Sequence, residues 1–108
     1  MPLTLKDLPE YVNIGPYNIK FRTDPDLWLR EDKWAAAHFR YAEIVLAENI
    51  PPDRILAKAI VHEVLHHIVN IYGAKDCKED EKFIERLDKG ILDFLVHNKE
   101  LVIMLMEA

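Results

Sequence analysis

Cysteine is nearly absent from this sequence, with Cys77 alone, and glycine is scarce, with three in 108 residues. A single cysteine excludes an intrachain disulfide and a Cys-rich structural zinc site. There is no basic excess: 14 lysines and arginines face 19 acids, for a formal net charge of −5, and the cations are scattered. Such a chain has no stripe with which to neutralise phosphates, so no nucleic-acid partner is expected. Long apolar runs are missing too. The longest, residues 101–106, is far shorter than a bilayer crossing requires. The opening Met1-Pro2-Leu3-Thr4-Leu5-Lys6-Asp7 lacks the basic start and apolar stretch of a signal peptide. A soluble, cytoplasmic chain with no membrane partner is expected.

What is present fits one domain over residues 1–108, half apolar and 31% charged. Residues 10–49 read as β-rich: Tyr17, Ile19 and Phe21 alternate with Asn18, Lys20 and Arg22, the pattern of a half-buried strand. Asp24-Pro25-Asp26 opens a short helix reaching about Glu31. Residues 34–39 and 42–48 suit the two strands of a hairpin turning near Arg40-Tyr41, without glycine. Asn49-Ile50-Pro51-Pro52-Asp53 breaks the chain before a helix over 53–72, closed by Gly73. That helix is apolar around most of its circumference, so it is expected to be central and buried. A second helix over 79–97 carries Ile84, Leu87, Ile91 and Leu95 in one stripe, and an apolar segment over 99–108 closes the chain as a short helix or covering strand. The expected fold class is α+β: a small antiparallel three-stranded sheet packed on the central helix and the helix that follows it.

The central helix carries His62-Glu63-Val64-Leu65-His66. Histidines four residues apart lie about 40° apart around a helix and one turn apart along it, so both imidazoles can bind one ion. Glutamate after the first histidine lies beside the vacant coordination position. There it can act as general base, taking a proton from zinc-bound water and later delivering it to a leaving amine. Ala59 and Asn70 share this face. Two histidines and a glutamate on a buried helix without a task would be costly.

A catalytic zinc ion needs a third protein ligand and an open position. The following helix offers Glu79, Glu81, Glu85 and Asp88. Glu81 and Asp88 lie seven residues apart at the edge of the apolar stripe, Glu85 projects further to solvent, and Glu79 belongs to the first turn or cap. Glu81 is therefore the expected ligand, with Glu85 or Asp88 as replacements; Asp88 can also brace a ligating histidine or stand simply solvated.

The segment His62-Glu63-Val64-Leu65-His66-His67-Ile68, followed by Glu81, Ile84, Leu87, Gly90 and Ile91, resembles the small gluzincin-type zinc metallopeptidases, among them the minigluzincins and phage-type enzymes akin to the ImmA/IrrE group. The resemblance implies a zincin-like fold, with zinc on His62, His66 and Glu81 and Glu63 as general base. It also implies a strand before the zinc helix along which an extended peptide can lie, within 42–48 or its hairpin partner. Asp88 departs from the small residue usual there. Peptide deformylases share His-Glu-x-x-His but take an upstream cysteine as third ligand, and no cysteine precedes His62.

Of the remaining residues, His67 reads as an exposed helix-side histidine more readily than as a support for Glu63 or the oxyanion, and Asn70 faces the site. His38 reads as a surface residue of the hairpin, and His97 suits a helix C-terminus. Tyr41 and Tyr72 are candidates for stabilising an oxyanion; Trp28 and Trp34 read as packing. The expected function is a metallo-endopeptidase acting on a peptide or protein substrate. The alternative is a non-catalytic or latent zinc-binding interaction module, with the apolar tail over the site or against a partner in a homodimer.

Overall fold

The computed structural model describes residues 3–108, apart from the side chain at position 75. Met1 and Pro2, part of the expected 1–108 domain and of the segment read for a signal peptide, lie outside the described residues.

Four strands form one sheet in the order β1-β2-β4-β3, where β1 is Tyr11–Ile14, β2 Tyr17–Asp24, β3 Ala35–His38 and β4 Glu43–Ala47. The sheet is mixed. β1 pairs antiparallel with β2, β3 antiparallel with β4, and β2 runs parallel to β4. This corrects the expected antiparallel three-stranded sheet in strand number and in direction. The first strand is made by Gly15: its φ of +59° closes a two-residue turn that folds Val12 and Ile14 back beside Ile19 and Tyr17. The parallel pair follows from the route between β2 and β4. The chain turns through helix α1, Leu27–Glu31, and edge strand β3 before β4 enters the middle of the sheet.

Central position explains the composition of β4, whose Ile44, Val45, Leu46 and Ala47 are all buried. The hairpin turn lacks glycine, and Ala42 takes the positive φ of 51° instead.

Helix α2, Arg54–Ile71, lies across the sheet and buries Leu56, Ala57, Ile60, Val64 and Ile68. Its expected limits of 53–72 differ by one residue at each end. Asp53 precedes it but does not cap it. The Asp53 carboxylate accepts from the Leu3 N–H at 2.7 Å, tying the start of the chain to the head of α2. Helix α3, Asp80–His97, packs on α2 through Gly90, where an added Cβ would overlap Ile68 and come within 2.9 Å of Tyr72. Residues 99–107 form a fourth helix, α4 (Lys99–Glu107), anchored by buried Leu101. No helix among the described residues is long and apolar enough to cross a membrane.

Candidate metal centre

His62, Glu63 and His66 project from the middle of α2 towards β3. Their ligand atoms all lie within 4.8 Å of one another, and they are the one group of three or more His, Cys, Asp or Glu able to hold a metal ion among the described residues. The two imidazoles turn their Nε2 atoms towards each other at 3.1 Å, with ring planes 74° apart. Two nitrogens at zinc-ligand distance in a tetrahedral shell stand about 3.3 Å apart. The separation of the two donors therefore suits a pair of ligands on one zinc ion.

Glu63 is buried, with 5% of its surface exposed, whereas His62 and His66 are open to solvent. Burial pushes the Glu63 carboxyl above its ordinary value, against the opposing pull of His62, His66 and Lys33. A carboxylate raised in this way is a stronger proton acceptor than a solvated glutamate.

These groups line a cleft of about 750 Å³ between α2 and β3. Ala35, Ala36 and Ala37 form one wall and Ala59 part of the other, so small side chains leave the space above the imidazoles open. β3 is an edge strand. The Trp34 carbonyl accepts from the Ala47 N–H at 2.8 Å, which sets the phase of the ladder: Ala36 and His38 turn their main-chain groups to β4, Ala35 and Ala37 to the open side. Trp34 closes one end of the cleft and stacks on Trp28, with ring centroids 3.9 Å apart and planes 16° apart.

Glu81 is not brought into this group. It is exposed in the first turn of α3, and neither it nor Glu85 nor Asp88 shares the cleft. The cause is the crossing point of the helices. The absent side chain of Gly90 allows closest approach beside Ile68 and Tyr72, and the Arg86 guanidinium donates to the Tyr72 carbonyl at 3.0 Å. Glu81 precedes Gly90 by nine residues, about 13 Å of helix at the standard rise. It overhangs the C-terminal end of α2 instead of meeting the middle.

His67 is not an exposed histidine. It is 1% exposed, its Nε2 lies 2.8 Å from the Glu43 carbonyl oxygen, and Phe39 packs edge-on at 5.2 Å. Burial lowers its pKa, so it serves as a neutral pin between α2 and the start of β4. Asn70 lines a separate small pocket with His67 and Tyr17, away from the cleft of His62 and His66. The oxyanion candidates also lie elsewhere: the Tyr72 hydroxyl donates to Asp93 at 3.0 Å, and Tyr41 is exposed beside Arg40. His38 lies 4.0 Å from Glu43 at the protein surface. His97 contacts the Asp93 carboxylate at 3.0 Å in the last turn of α3. The apolar tail, now α4, leaves the cleft uncovered; Val102, Leu105 and Met106 line a groove with Val61 and Leu65 instead.

Comparison with family models, with curated proteins and with solved structures finds no match to the chain. A functional reading therefore rests on the residues and their arrangement.

Proposed function

We propose that this chain is a zinc-dependent peptide-bond hydrolase in which His62 and His66 hold the metal and Glu63 is the general base. The observation that carries this reading is the 3.1 Å separation of the two Nε2 atoms, on the wall of an open cleft and beside a buried carboxylate. Zinc, when bound, supplies the Lewis acidity that brings the pKa of water down to about 7. Glu63 takes the proton released from water and passes it to the departing amine nitrogen, a role its desolvated carboxylate suits. An extended peptide finds hydrogen-bond partners in the outward N–H and C=O groups of Ala35 and Ala37, the mode of strand addition. The alanine wall leaves room for its side chains.

The test begins with metal. Protein purified without added zinc is expected to hold one equivalent, and His66→Ala to lose it. Glu63→Gln is expected to retain zinc while hydrolysis of an unfolded protein such as casein falls by about 10²–10⁴-fold. Zinc that stays bound down to pH 4 would rule out histidine ligation, because protonated imidazole cannot coordinate. A second reading, a non-catalytic or latent zinc-binding module, is favoured by one specific observation: no acid from α3 joins the donor group. Glu81→Gln separates the possibilities for that third position. The placement of α3 predicts that this variant keeps its metal; the resemblance to gluzincins predicts that it loses it. Zinc bound with no cleavage across a broad peptide set would leave the module reading in place.

A further inference from the structure

The cleft has two unlike ends. β3 runs alongside α2 so that Lys33 and Trp34 lie at the same end as Ile55 and Lys58, whereas Phe39 lies towards His66 and His67 at the other end. Lys58 stands on the same helix face as His62, one turn before it. Lys33 comes from the opposite wall, in the segment that leads into β3. Neither lysine forms an ion pair among the described residues. Among the described residues they are the only lysines or arginines lining the cleft, and Glu63 is its only acid. Lys33 is near enough to act electrostatically on the Glu63 carboxylate. In a chain of net charge −5, two lysines without an ion pair line one end of the cleft, from its two walls, and give that end a cationic lining. At physiological salt, acids elsewhere on the surface are screened beyond about 8 Å.

We infer that the Lys33–Lys58 end is a carboxylate subsite, which makes the preferred substrate an acidic peptide; this rests on the hydrolase reading above. A strand added antiparallel to β3 runs its C-terminal half past Lys33 and Lys58. The selected carboxylate, an Asp or Glu side chain or a free C-terminus, thus lies on the C-terminal side of the bond to be cut. Both lysines are exposed, so the selection is modest and sensitive to salt.

The test uses fluorescein-labelled peptides of one sequence frame, with Asp, Asn or Lys at the three positions after the cut and a free or amidated C-terminus. Cleavage is measured with the zinc-loaded protein and binding with its Glu63→Gln variant, by anisotropy. Asp peptides are expected to exceed Asn peptides by about three- to tenfold at low salt and Lys peptides by more, with the ratios falling towards one in 1 M salt. Lys33→Ala/Lys58→Ala should erase the ratios, with zinc content reporting that the fold is intact. An advantage confined to the free-acid form would assign the subsite to a C-terminal carboxylate, and one confined to internal Asp to a side chain. Equal affinity for Asp and Lys peptides, or a preference that survives in the double variant, overturns the inference. Acid-selective binding without any cleavage overturns the hydrolase reading and leaves the subsite standing, and cleavage blind to charge does the reverse.

Discussion

The two edges of the sheet are treated in opposite ways. At β1, the outward main-chain groups of Asn13 and the Gly15 N–H in the turn that follows are closed by side chains from α3 and its junction with α4. The Asn98 carboxamide accepts from the Asn13 N–H at 2.8 Å and donates to the Asn13 carbonyl at 2.7 Å, completing both bonds that another strand would make. Asp93 accepts from the Gly15 N–H at 2.9 Å, one turn earlier on the same helix. At β3, no side chain among the described residues does this for Ala35 and Ala37, and the bare edge runs beside the paired histidines. Edge strands invite pairing with other chains and are usually blunted. One edge here is blunted with two hydrogen bonds to a single carboxamide, and the edge beside the paired histidines is left available. That asymmetry favours a role for the open edge in binding an extended chain.

Four substitutions sharpen or break this contrast. Asn98→Ala has the largest expected effect: it strands the part-buried N–H and C=O of Asn13, lowering stability by about 2–4 kcal/mol in urea unfolding. Newly opened, β1 should also promote self-association, read by light scattering. Next comes Gly90→Ala, which lifts α3, with Asp93 and Asn98 on or beside it, off Ile68 and Tyr72. Overpacking of about 1–3 kcal/mol is offset by up to about 1 kcal/mol of helix propensity, so a fall in Tm of a few degrees is expected. Ala37→Pro should leave the fold nearly as stable, since its N–H faces away from β4, but weaken peptide binding about tenfold through loss of one edge donor. If Ala37→Pro unfolds the protein while Asn98→Ala is silent, the contrast between the edges is wrong.

The smallest effect is one of pH. The Gly15 N–H, with help from the Tyr72 hydroxyl and His97, holds the Asp93 carboxyl below the usual range. The stability this contributes is present above the unfolded value, near pH 4, and is lost as pH falls through the depressed folded value. Asp93→Asn should therefore flatten the acid side of a urea-midpoint profile measured between pH 6 and 2.5. An unchanged slope would remove Asp93 from the seal on β1.

Elements with a strong period were legible in the sequence. The helix expected over 53–72 is α2 at Arg54–Ile71, the one over 79–97 is α3 at Asp80–His97, and the strands at 34–39 and 42–48 contain β3 and β4. Spacing alone also put His62, Glu63 and His66 on one stretch of helix, because three of their positions depend only on local geometry. Relations between elements were not legible. The parallel pairing of β2 with β4 depends on where α1 sends the chain, and no periodicity records it. The helix period places Glu81 on a face of its own helix, but its reach towards His66 depends on where α3 crosses α2. That point is set by Gly90, a residue whose importance lies in what it lacks. The burial of His67 was hidden similarly, since its partner is a main-chain carbonyl of β4 and not a side chain that a pattern could reveal.

Trp28 and Trp34 are the only tryptophans, and they lie in contact, with Trp34 on the cleft wall. Ultraviolet emission from this chain at tryptophan wavelengths thus originates at one corner, next to Lys33. The native protein carries its own optical gauge of that corner, so a titrant entering there can be followed by quenching or a spectral shift without attaching any dye.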